Sequence, residues 1–271
     1  MIADEAGGKR VSMFYNIFIG FILQILLTVG VIALFGFLIS LCNKRFYANF
    51  GRHALKACYI TGFVGTPVHE LSHALMCLIF GHKITDIKLF QISDDGTLGY
   101  VAHTYNRKNI YHRIGNFFIG VAPIVCISAL MYLAAYLLLP TFTASVSAVE
   151  FSFSDVGAAF PAIWNTLVAF FRAATTWQWW VFVLVGMLLA LHMTLSAADI
   201  RGALSGLAFL LAAVFIVDLV LGLISTSLIT SFTGVVVNIG CYLICFLTIA
   251  LIISAFAVLL SFIPYFINRR R

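Results

Sequence analysis

The run His69-Glu70-Leu71-Ser72-His73 is where residue types and spacing in this chain spell out a reaction. Four residues apart on a helix, the two imidazoles project from one face about one turn apart and can grip one metal ion, and Glu70 lies beside that face. Zinc held this way brings the pKa of a coordinated water to roughly 7, while the glutamate takes and returns protons during amide hydrolysis. That is peptidase chemistry. The chain has seven histidines and glutamate only at Glu5, Glu70 and Glu150. In such a composition the motif arises by chance in about one sequence in several hundred. As packing alone, a carboxylate and two imidazoles clustered on an apolar helix would be costly.

A catalytic zinc takes three protein ligands and keeps one position open. The metzincin continuation is excluded, because Met76 and Ile79 stand where it needs glycine and histidine. The only later glutamate, Glu150, falls in a loop expected on the opposite side. His192, Asp199 and Asp218 remain. Asp199, followed by Arg201 and Gly202, is expected to end a span on the side that the motif helix also approaches. His192 also reads as a core histidine, and Asp218 as a buried acid bonded to a neighbouring helix. Asp199 and His192 therefore stay open as the third ligand.

The elements that must position these residues lie in lipid. With 62% apolar, 15% aromatic and 10% charged residues in 271, the chain lacks the polar surface of a soluble globule. No residue is charged between Arg10 and Lys44, Arg113 and Glu150, Arg172 and Asp199, or Asp218 and Arg269, and each gap can hold a span of about 20 apolar residues. Read along its length, the chain predicts six spans at 13–41, 56–80, 116–139, 177–200, 205–226 and 235–265. The predicted fold is thus an all-α polytopic membrane protein, with residues 1–271 one integral membrane domain. The first apolar run is about twice as long as a signal-peptide core and reads as a retained helix. The net charge of +6 sits in short clusters between spans, where it sets orientation, so nucleic acid is not an expected partner.

Cytoplasmic termini place eleven Lys and Arg inside against five outside. Trp177, Trp179 and Trp180 suit an interfacial belt, and Trp164 suits a helix lying on the outer membrane surface within 141–176. On the cytoplasmic side, β-branched and aromatic residues at 84–92 and 97–105 flank Ser93-Asp94-Asp95-Gly96, which predicts a small β-hairpin. Thr66 and Pro67 read as a helix start and Gly81 as its stop, so a kink is expected near 62–67. The six cysteines lack the spacing of a disulfide framework, and Cys241 and Cys245 read as small buried packers.

The sequence resembles the site-2 protease family of intramembrane zinc metalloproteases over residues 60–205. The resemblance rests on HELSHALMCLIFGHKI at 69–84, a β-rich stretch with Gly96 and Gly99, and GVAPIV at 120–125, which is similar to a Gly-Pro helix start. It also rests on SAADIRGA at 196–203, similar to the family's Asp-Gly motif. It implies zinc held by His69, His73 and Asp199, Glu70 as the catalytic acid and base, and cleavage of transmembrane or membrane-tethered proteins near the cytoplasmic face. The core metalloprotease region would be 56–205. Three features depart from the family pattern: His192-Met193-Thr194-Leu195 stands where Asn-x-x-Pro is usual, Ile200 follows Asp199 where glycine is usual, and no Asn follows Pro123.

The expected partners are membrane lipid and a transmembrane protein substrate, with the chain in the plasma membrane. Two other classes compete: a non-catalytic binding or quality-control protein on a protease-like fold, and a metal or proton transporter. The absence of repeated halves argues against the transporter.

Overall fold

In lipid, backbone N–H and C=O groups find no water, so each segment must satisfy its own, and the chain is accordingly mostly helix. The computed structural model describes residues 2–93, 96–149 and 159–269; Asp94, Asp95 and Glu150 lie outside the described residues. Helix α1 (Ile2–Ile25) passes through a π-helical turn at Leu26–Gly30 into α2 (Val31–Ala48). Then come α3 (Ala54–Ile79), strands β1 (Lys83–Lys88) and β2 (Tyr100–Thr104), and α4 (Ile110–Leu138). Short helices α5 (Pro140–Ser147) and α6 (Ala159–Arg172) precede α7 (Trp177–Ala190), α8 (Ala197–Ile224) and α9 (Thr226–Arg269).

Among the described residues four helices are long and apolar enough to cross a membrane: Met13–Ala48, Ile110–Leu138, Ala197–Ile224 and Thr226–Phe266. The pair α6 and α7, bent by 114° at Thr176, makes a fifth if counted as one span. These helices fit a multi-pass membrane protein. They fall short of six for two physical reasons. Helix α3 has 26 residues, about 39 Å at 1.5 Å each, but Thr66, Pro67, His69, Glu70, Ser72 and His73 dilute its apolar character. The span expected at 177–200 is broken, because α7 ends at Ala190 and a new helix starts at Ala197.

Two boundaries differ from expectation. Helix α3 runs unbroken through Pro67, so Thr66 is not its cap; neighbouring helices in a bundle satisfy what a proline frees. GVAPIV lies inside α4, which begins at Ile110 with Asn109 as its cap, and is not a helix start. The stop at Gly81 does occur. Gly81 takes φ +68°, its N–H donates to Leu78 O at 3.2 Å, and the His82 N–H donates to Cys77 O at 2.8 Å. This paired closure, with a left-handed residue just past the helix, turns the chain sharply into β1.

The hairpin is antiparallel, pairing Lys83 with Thr104 and Lys88 with Tyr100, with a bulge between Ile84 and Asp86. Beyond the strands the Gln91 N–H donates to Leu98 O at 2.7 Å and the Gly96 N–H to Ser93 O at 3.0 Å, which closes the connection. The main core gathers Ile124, Ile127, Met131, Phe182, Ile249 and Ile253 from α4, α7 and α9. Cys241 and Cys245 are free thiols buried in it. On the other side of the bundle the Gln24 side-chain amide donates to both oxygens of Asp218, at 2.9 and 3.1 Å, and to Thr233 Oγ1 at 3.0 Å. That network ties α1, α8 and α9 together where a lone carboxylate would be costly.

Candidate active site

Because α3 is regular across 69–73, His69 and His73 face one direction, and their Nε2 atoms lie 3.1 Å apart. Each ring is oriented from behind. His69 Nδ1 donates to the His192 carbonyl at 2.8 Å, and His73 Nδ1 donates to the Ile119 carbonyl at 2.7 Å. A carbonyl only accepts, so both protons sit on Nδ1 and both Nε2 atoms carry lone pairs. Two lone pairs facing each other at this distance need a cation between them or a further proton.

Asp199 comes from α8, far from the motif helix in sequence. Ser196 and Asp199 form a reciprocal cap at the start of α8: the Ser196 N–H donates to Asp199 Oδ2 at 2.7 Å and the Asp199 N–H to Ser196 Oγ at 3.2 Å. The cap uses one carboxylate oxygen and leaves the other, Oδ1, 3.3 Å from His73 Nε2. One ligand atom each from His69, His73 and Asp199 lie within 4.8 Å of one another. The sequence placed Asp199 at the end of a span; it stands instead in the first turn of the next helix.

Glycines set these distances. Helix α8 crosses α4 at Gly120, where an added Cβ would meet the Asp199 carbonyl and, at 2.7 Å, the Ala203 nitrogen. The last turn of α7 and the segment after it cross α3 at Gly65, where a Cβ would lie 2.5 Å from Leu188 O and from the His192 ring. Small residues let backbones approach this closely in a helical bundle.

The other two candidates are engaged elsewhere. His192 Nε2 lies 3.2 Å from Tyr47 Oη and 3.1 Å from Thr61 Oγ1, and its Nδ1 lies 3.4 Å from Thr66 Oγ1. Its backbone, and not its side chain, serves the site. Asp218 is nineteen residues beyond Asp199 on α8, about 28 Å along the axis, and is held by Gln24.

Glu70 is buried and lines the same cavity of about 250 Å³ as His69, His73 and Asp199. Strand β2 and the residue before it roof it: Gly99, Tyr100, Val101 and His103 also line the cavity. A Cβ on Gly99 would come within 2.8 Å of Glu70 Cγ, so only glycine admits the strand this close. Burial, and after it the neighbouring His82 and His73 imidazoles, push the His103 imidazole below its usual range. Sequence reasoning missed the Ile119 carbonyl and Asn116 of α4, which lines the cavity, and it read Gly120 and Gly99 as parts of motifs without their roles in close packing. The signal for Asp199's true place was present as Ser196-Ala197-Ala198-Asp199, a capping-box pattern before an apolar run.

The donor set fits zinc. Two imidazole nitrogens bound at about 2.0–2.1 Å in tetrahedral geometry stand about 3.3–3.4 Å apart, near the separation seen, and a carboxylate oxygen completes three protein ligands with one position open. A search with protein-family models matches residues 62–157 to a family described as "putative zincin peptidase". Searches of curated proteins and of solved structures found no match. The family likeness supports a zinc metallopeptidase with zinc as its cofactor.

Proposed function

We propose that the chain is an intramembrane zinc peptidase of the site-2 protease type, hydrolysing peptide bonds of transmembrane or membrane-tethered proteins. The observation that carries this reading is the convergence of His69, His73 and Asp199 from α3 and α8 on one point beside buried Glu70. In this reading α3 also lies in the bilayer, which gives six spans with both termini cytoplasmic and the hairpin on the cytoplasmic side of the plasma membrane. The site then sits below the membrane surface and is reached from the cytoplasm.

His69, His73 and Asp199 would hold the zinc, which when bound supplies Lewis acidity that brings water's pKa down to about 7. Glu70 accepts a proton from the attacking water and delivers it to the leaving nitrogen. A helical amide is shielded by its own hydrogen bonds, so the substrate must unwind first. The edge of β2 would take the unwound segment as an added strand, with Gly99 letting the chain lie directly against Glu70. An apolar cavity of about 620 Å³ lies between α2 and α8, lined by Gly36, Phe37, Ile200 and Leu204 among others. It borders the first turn of α8 on the side away from the ligands, and we place the substrate's apolar helix there.

The test is N-terminal labelling of membranes from the native host lacking the gene and complemented with wild type or Glu70→Gln. New N-termini in or beside transmembrane segments should appear with wild type alone. Identical sets of N-termini in the two strains would refute the peptidase reading.

A further inference from the structure

One helical turn beyond His73, a second set of metal-ligating side chains converges. Cys77, His82 and His103 each offer one ligand atom, and these atoms lie within 4.8 Å of one another. The closure of α3 at Gly81 folds His82 back over Cys77, and β2 brings His103 across to both. Cys77 is fully buried and His82 is 4% exposed. His82 Nε2 donates to the His112 carbonyl at 2.9 Å, so its Nδ1 carries a lone pair, and that lone pair faces His103 Nδ1 at 3.1 Å. The Tyr105 ring stacks on His82 with centroids 4.8 Å apart and fixes its plane. A ligand imidazole anchored through its other nitrogen to a carbonyl is the usual arrangement behind a metal.

We propose that Cys77, His82 and His103 form a second zinc site, separate from the catalytic cluster, that clamps the hairpin to the end of α3. One sulfur and two imidazole nitrogens suit a borderline-soft ion such as zinc and are poor ligands for magnesium or calcium, which take oxygen. The clamp joins the cytoplasmic end of the motif helix to the strand that roofs the catalytic cavity. His103 belongs to both places, since it also lines that cavity. The two ions would sit on successive turns of α3, about 6 Å apart along its axis. This inference does not depend on the peptidase reading.

The test uses the full chain purified in detergent with its zinc exchanged for cobalt. Only the clamp contains a thiolate, so wild type should show a near-ultraviolet thiolate-to-cobalt charge-transfer band. Cys77→Ser should lose that band and one of two metal equivalents, while His69→Ala should keep the band and lose the other equivalent. Absence of the band in wild type, or its persistence in Cys77→Ser, overturns the proposal and leaves a plain hydrogen bond between His82 and His103. Should Cys77→Ser not fold, X-ray absorption at the zinc edge of wild type decides. A sulfur shell at about 2.3 Å supports the clamp, and a spectrum of nitrogen and oxygen alone overturns it.

Discussion

The substitution Gly120→Ala tests how the third ligand reaches the histidine pair. An added methyl at residue 120 would meet the Asp199 carbonyl and stand 2.7 Å from the Ala203 nitrogen and 2.8 Å from Ala203 Cβ, where ordinary contact begins at 3.4 Å. The obstacle is mostly backbone of α8, which cannot rotate aside, so the first turn of α8 must retreat by about 0.7 Å or more. Zinc–oxygen bonds are about 2.0–2.2 Å long, so a retreat of that size takes Asp199 out of bonding range. Zinc affinity at the catalytic cluster should fall on the order of 10- to 100-fold. The assay is competition for zinc between the purified protein and a chelating dye. Gly234→Ala on α9, where nothing lies within 4 Å of the new methyl, is the matched control and should bind zinc like wild type. Wild-type affinity in Gly120→Ala would refute the claim that this crossing sets the position of Asp199.

Three further outcomes follow from the same geometry. His192→Ala keeps the backbone carbonyl that orients His69, so it should retain catalytic zinc that Asp199→Ala loses; metal analysis of the pair checks this. Gln24→Leu strands the Asp218 carboxylate and should lower stability by about 1–3 kcal/mol, while Gln24→Leu with Asp218→Leu should recover most of it, as thermal unfolding in detergent would reveal. Gly81→Ala forces a left-handed alanine at the end of α3 and should cost about 1–2 kcal/mol in the same unfolding assay.

What the sequence made legible was local. The spacing of His69 and His73 is a property of any regular helix, the stop at Gly81 is a property of one residue, and the β-branched runs flanking Gly96 report their own strand preference. What escaped was set by partners distant in sequence. Pro67 reads as a helix start only when nothing else holds the turn before it, yet α3 is supported by the segment after α7 at Gly62 and Gly65. The stretch from Trp177 to Ile200 is uncharged up to Asp199, and hydropathy alone merges it into one span. It cannot see that the chain leaves the helix at Leu191 and re-enters at Ala197. That break lets the His192 carbonyl reach His69 and starts α8 with Asp199 beside His73. The residues alone favoured Asp199 over His192 without closing the choice, whereas in three dimensions the first supplies a side chain to the cluster and the second a carbonyl. The span count differs because the residues that carry the chemistry also make α3 less apolar.

The proposed peptidase requires that His69, His73 and Asp199 share one zinc ion. Elemental analysis of the purified full chain and of His69→Ala, His73→Ala, Asp199→Ala and Glu70→Gln measures it directly. Each of the first three variants should contain one zinc equivalent fewer than wild type, and Glu70→Gln should match wild type. Zinc content unchanged in all three, or no zinc in the wild-type protein, would show that these residues hold no zinc ion.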